Sequence, residues 1–90
     1  MTASRKTYLK TIYYLSAEGA ARPADIAAAL GVSRPSVSKA LSGLTEAGLA
    51  AHQPYGDVSL TPEGQCAVLA IMEADARLQR MIQALQPAEL

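Results

Sequence analysis

The sequence predicts a mainly α fold with one small β-hairpin and a long final helix. Three observations carry that prediction. Apolar residues recur at helical spacing in three short segments separated by Gly19, Gly31 and Gly48. Two short runs, Leu49–Gln53 and Val58–Leu60, flank the turn-forming Pro54-Tyr55-Gly56-Asp57. After Thr61-Pro62 a single helical period runs on to about Gln86, where Pro87 limits it.

The first helix is expected from about Ser4 to Glu18. Tyr8, Ile12 and Leu15 share a face with Leu9 and Tyr13 beside them, Ser4 is suited to cap the start, and Gly19 to stop the helix. Pro23 fits the first turn of a second helix, Pro23–Leu30, where Asp25 meets the positive end of the helix dipole. Ile26, Ala27 and Leu30 form its apolar face, and Gly31 ends it. A tight Gly31-Val32-Ser33 turn leads to a third helix at about 34–47, capped by Ser33, with Pro35 in its first turn and Val37, Ala40, Leu41 and Leu44 facing inward. Two short helices joined this way form a helix-turn-helix. A hairpin wing at about 49–60 directly after it makes the whole a winged helix-turn-helix: a three-helix core, a β-hairpin and a long C-terminal helix capped by Thr61. Residues 1–62 are expected to form the DNA-binding unit, and 62–90 the C-terminal helix that serves dimerisation.

Ninety residues fit one thin core, and much of the 50% hydrophobic content is alanine, which favours short helices packed through small side chains. The formal net charge is zero, yet it is unevenly spread. Residues 1–40 carry six basic side chains against two acidic ones, and residues 41–90 carry two against six. That polarity can turn the basic half towards phosphates. The single cysteine excludes an intrachain disulfide and a cysteine-rich zinc site. No stretch reaches the ~20 apolar residues of a membrane span and no secretory signal opens the chain, so a soluble, cytoplasmic protein is expected.

The order of motifs then carries a resemblance. Tyr8-Leu9-Lys10-Thr11-Ile12-Tyr13, Asp25-Ile26-Ala27, Val32-Ser33-x-x-Ser36-Val37-Ser38, Leu44-x-x-x-Gly48-Leu49 and Leu60-Thr61-x-x-Gly64 together resemble the N-terminal domain of the iron- and manganese-dependent repressors, the family of the diphtheria toxin repressor and the manganese transport regulator. The resemblance covers about residues 7–75. It implies a homodimeric repressor that uses divalent manganese or iron to set its recognition helices on DNA. The metal ligands it implies do not carry over. Their positions hold Thr7 and Lys10 on the first helix and Asp75 on the last, and a lysine there opposes a bound cation.

DNA reading by this motif needs polar side chains on the outer face of the third helix. Ser33, Arg34, Pro35, Ser36, Ser38, Lys39 and Ser42 supply them. Arg34 suits a bidentate contact to guanine, the serines suit phosphates or base edges, and Pro35 can meet a thymine methyl. A merely solvated helix face would favour better helix formers than serine. Arg5, Lys6, Lys10 and Arg22 suit phosphate contacts as well as they suit an ordinary solvated surface. His52, Gln53 and Tyr55 of the wing can reach DNA, or simply form a polar hairpin tip; Asp57 is the wing's only charge.

Cys66 is expected to be a small buried apolar residue rather than an activated thiol. His52 lacks a second histidine, and Glu73 and Asp75 read as a solvated acidic face rather than a cation site. The last helix has more apolar residues (Val68, Leu69, Met72, Leu78, Met81, Ile82, Leu85) than one narrow stripe needs, which points to a symmetric dimer. The primary expectation is therefore a dimeric repressor bound to double-stranded DNA. The alternatives are a winged-helix protein-interaction module without DNA binding and a metal-dependent repressor with a non-standard site. An enzyme is not expected, because no nucleophile–base pair, phosphate-cradling glycine loop or metal cluster is present in the sequence.

Overall fold

A computed structural model describes residues 4–85. The element order is α1 (Arg5–Ala17), α2 (Pro23–Leu30), α3 (Arg34–Glu46), β1 (Ala50–His52), β2 (Val58–Leu60) and α4 (Pro62–Leu85). This is the winged helix-turn-helix that the sequence predicts. The expected end of the last helix near Gln86 and Pro87, and the rest of the 86–90 stretch, lie outside the described residues.

Each boundary follows from local chemistry. The Ser4 hydroxyl accepts from the Thr7 N–H at 3.2 Å and the Ser33 hydroxyl from the Ser36 N–H at 3.2 Å, so α1 and α3 both begin on a serine cap. Gly31 adopts φ 64°, ψ 36°, and the N–H groups of Gly31 and Val32 both return to the Ala27 carbonyl. That left-handed residue reverses the chain within a few positions, and a side chain there would be strained.

The three helices close around Tyr8, Leu9, Ile12, Ile26, Ala27, Val37, Leu41 and Leu44, with Ala50, Val58 and Val68 sealing the core from the wing and α4. Among the described residues no polar or charged side chain is buried. Ile26 and Leu41 are at most 1% exposed, and cutting either to alanine would cost about 2–5 kcal/mol. The wing is antiparallel, with Ala50 opposite Leu60 and His52 opposite Val58. It is anchored by a short bridge in which the Val58 N–H donates to the Ala21 carbonyl at 2.8 Å.

Thr61 joins the wing, α3 and α4. Its hydroxyl donates to the Gly48 carbonyl at 2.6 Å and accepts from the Gly64 N–H at 3.0 Å, while its own N–H donates to the Leu49 carbonyl at 3.1 Å. Gly64 is buried there, and a Cβ on it would run into the Leu49 carbonyl oxygen. The motifs Gly48-Leu49 and Leu60-Thr61-x-x-Gly64 are thus two halves of one joint.

Beyond this joint α4 leaves the body. Gly64 and Val68 are buried and Ile71 and Met72 half-buried, but every residue from Glu73 to Leu85 is exposed. The radius of gyration, 15.2 Å, exceeds the ~12 Å of a compact chain of this length because of that projection. Cys66 departs from expectation: it is exposed, not buried. Two residues from Val68 on a 3.6-residue helix, it points away from the face that packs.

Candidate nucleic-acid interface

Helix α3 turns Val37, Leu41 and Leu44 inward, so the helical period puts Pro35, Ser38, Lys39 and Ser42 on the opposite side. All four are exposed, as are Ser33, Arg34 and Ser36 at the start of the helix. No acidic side chain lies on α3 before Glu46. The outer face of α3 is therefore a polar, cationic surface at the solvent-facing end of the helix-turn-helix.

One flank of α3 forms the wall of a groove of about 630 Å³ that also takes in the start of α1 and the Gly31–Ser33 turn. Arg5, Ser33, Ser36 and Lys39 line it together with Tyr8 and Gly43. Arg5 reaches across to α3 beside Gly43: its guanidinium lies 3.6 Å from where a Cβ on Gly43 would be, an ordinary van der Waals distance. Within the groove the Ser33 hydroxyl donates to Ser36 Oγ at 2.9 Å while accepting the Ser36 N–H. The Ser36 hydroxyl accepts in that pair and keeps its own proton to donate, which suits a phosphate oxygen.

The remaining candidates fall elsewhere. Tyr55 is at the wing tip, 74% exposed. Arg22, the residue before α2, lies beside the wing with its Nε 3.6 Å from Asp57 Oδ1. That contact follows from the Ala21–Val58 bridge, which sets the neighbours of those two residues side by side. It also offsets the wing's one acidic charge. Lys6 is exposed on α1 and is not among the residues lining the groove. Neither the place of Gly43 beside Arg5 nor the pairing of Arg22 with Asp57 is foretold by local sequence. The opposite charges were visible, but their proximity depends on strand register.

The metal positions implied by the resemblance can be tested on the donor set. Lys10 of α1 and Asp75 of α4 do come together, with Nζ 3.1 Å from Oδ2, but as an ion pair. The Thr7 hydroxyl is engaged with Ser4 Oγ at 3.0 Å and belongs to the N-terminal cap. Glu73 is held by Arg77 at 3.1 Å one turn along the same helix. Among the described residues no three His, Cys, Asp or Glu side chains gather closely enough to hold a metal ion. The described residues do not fit a divalent cation.

No described helix is long and apolar enough to cross a membrane. Residues 1–58 match the family model of the iron dependent repressor, N-terminal DNA binding domain. Transcriptional regulator MntR of Salmonella typhimurium is 49% identical over 47 residues, which is 52% of this chain and 30% of that protein. The chain thus spans about 30% of the length of that relative. The crystal structure of IdeR from T. acidophilum superposes with a TM-score of 0.69 at 30% identity, covering 76% of this chain and 32% of IdeR. MepR, a transcription regulator from Staphylococcus aureus, superposes with a TM-score of 0.72 at 25% identity over 91% of this chain and 63% of its own. With its winged helix and its matched residues 1–58, the chain belongs to the iron dependent repressor N-terminal DNA-binding domain family, a family of DNA-binding transcriptional regulators.

Proposed function

We propose that this chain acts in the cytoplasm as a homodimeric repressor, not an enzyme, that reads duplex DNA with α3 in the major groove. The observation that carries the reading is the outer face of α3: six exposed polar or cationic residues and Pro35, with no carboxylate before Glu46. In this reading Arg34 reads a guanine edge, with Ser38, Ser42 and Pro35 following along the groove. Arg5, Lys39, Ser33 and Ser36, gathered on one flank, hold the sugar-phosphate backbone. Lys6 and Arg22 add phosphate contacts further out, and Tyr55 touches DNA from the wing tip.

Residues 1–62 form the reading unit and 62–90 the dimerisation element. The first turns of α4 complete the core, and the stretch from Glu73 onward is free to meet a second copy. Leu78, Ile82 and Leu85 recur there at helical spacing, 54%, 41% and 84% exposed, with Met81 beside them at 58%. Packing this stripe against its symmetry mate removes it from water and presents two α3 helices to half-sites about one DNA turn apart.

The test is fluorescence anisotropy of labelled duplexes from the protein's own promoter region at several salt concentrations. A DNA reader binds one of them saturably, more tightly than a scrambled duplex, and loses affinity steeply as salt rises. Absence of binding at low salt would instead favour the protein-interaction reading, which the lack of any Lys or Arg in the wing supports.

A further inference from the structure

Ion pairs in the described residues tie up acidic side chains in a definite pattern: Asp57 with Arg22, Glu73 with Arg77, and Asp75 with Lys10. Only the last of these joins two helices, linking α1 to α4 across 65 residues of sequence. The family to which the chain belongs is named for its dependence on iron. The corner where α1 meets α4 is built for the opposite chemistry. An ammonium group has three donors, no lone pair and a full positive charge, so it can neither ligate a cation nor tolerate one beside it. Hard divalent cations need several oxygen or nitrogen donors at about 2.0–2.2 Å, whereas Asp75 is one carboxylate already neutralised by its partner.

We propose that this chain is set for DNA without a divalent metal, and that the Lys10–Asp75 ion pair provides the α1–α4 tie from within the protein. The inference rests on the DNA-binding reading above and adds how that binding is regulated. The tie has a structural consequence. Arg5, at the start of α1, lies against α3 in the DNA-facing groove, and α4 carries the apolar stripe proposed for the dimer. The angle between α1 and α4 therefore decides how the two recognition helices are spaced. Both side chains are partly open to water, at 35% and 55% exposure, so the pair orients the helices more than it stabilises them.

Two measurements on the full chain test this. The first is thermal denaturation with EDTA, with Mn²⁺, and with Fe²⁺ under anaerobic conditions. It needs no DNA. A ligand that binds only the folded state raises the melting temperature, so an unchanged melting temperature is expected and a saturable rise with either metal overturns the proposal. The second is anisotropy on the same promoter duplex with chelator and with Mn²⁺. Allosteric coupling between two sites is typically about 5–150-fold, and here the two affinities should agree within about two-fold. Binding that appears only with metal overturns the metal-independence alone. Failure to bind in either condition overturns the DNA reading instead, while the melting experiment still decides the metal question.

Two variants address the ion pair. Lys10→Met removes the tie without adding a donor, and should weaken metal-free DNA binding by about two- to five-fold, with no rescue by Mn²⁺. Unchanged affinity would show that the pair does not set the helices. Lys10→Glu sets a second carboxylate beside Asp75 and should gain a Mn²⁺-dependent rise in melting temperature that the natural chain lacks. If Lys10→Glu and the natural chain respond to Mn²⁺ alike, Lys10 is not what excludes the metal.

Discussion

Two glycines in helices of this chain should respond to the same substitution with opposite sign. Gly64, in the first turn of α4, is buried, and an added Cβ would collide with the Leu49 carbonyl oxygen and come within 3.3 Å of Leu60 Cδ2. The obstacle is backbone, so relief requires α4 to shift away from the α3–β1 corner. Overpacking of this kind costs about 1–3 kcal/mol. A shift would also stretch the Thr61 bridge between Gly48 and Gly64, a loss of about 1 kcal/mol. Alanine's better helix propensity returns at most about 1 kcal/mol. Gly64→Ala should therefore destabilise by about 1–3 kcal/mol net. In a domain this small that lowers the melting temperature by roughly 5–15 °C.

Gly43 is the control. It lies inside α3, its φ is not positive, and an added Cβ meets only the Arg5 guanidinium at an ordinary 3.6 Å. Gly43→Ala should stabilise by about 0.5–1 kcal/mol, chiefly through backbone entropy. Circular dichroism melts of both variants at one protein concentration, held fixed because any self-association would shift the midpoint, decide the matter. A Gly64→Ala protein that melts at or above the natural chain would refute the steric account of the joint.

Further outcomes are expected at the interface. Arg34→Ala should cost about 1–3 kcal/mol on the preferred duplex and little on random DNA, whereas Lys6→Ala should weaken both alike; equal losses for Arg34→Ala would remove its base-reading role. Asp57→Asn takes a carboxylate from the wing and releases Arg22, so low-salt affinity should rise and the salt slope steepen by about 0.9, the share of one phosphate contact. An unchanged slope would mean that Arg22 does not reach DNA. Ile82→Lys sets a charge in the exposed stripe of α4 and should convert dimer to monomer in sedimentation without lowering the helix content. A dimer that persists would direct attention to another surface.

Much of the fold was legible because its punctuation is local. Ser4, Ser33 and Thr61 cap helices, Pro23 and Pro62 open them, and Gly31 reverses the chain, each acting within a few residues of itself. The apolar period likewise foretold that Ile26, Val37, Leu41 and Leu44 would be buried. What the sequence hid depends on distance in space. Nothing local tells that Thr61 reaches back to Gly48, that Arg5 lies beside Gly43, or that Asp57 faces Arg22. Cys66 was misread for a related reason. Cysteine is commonly buried, but α4 buries a face that runs through Gly64 and Val68, and residue 66 falls on the far side. For the interface itself, the outer face of α3 could be read from its period. The grouping of Arg5 with Lys39 and the two serines could not, since it joins α1 to α3.

The central claim is that α3 and its flank form a DNA-reading surface that works without added metal. Anisotropy of a promoter duplex titrated with the full chain in chelator, across a salt series and against a scrambled competitor, tests it most directly. The account predicts saturable binding that prefers the promoter duplex and falls by orders of magnitude as salt rises. Equal affinity for both duplexes, or no binding at the lowest salt, would contradict it.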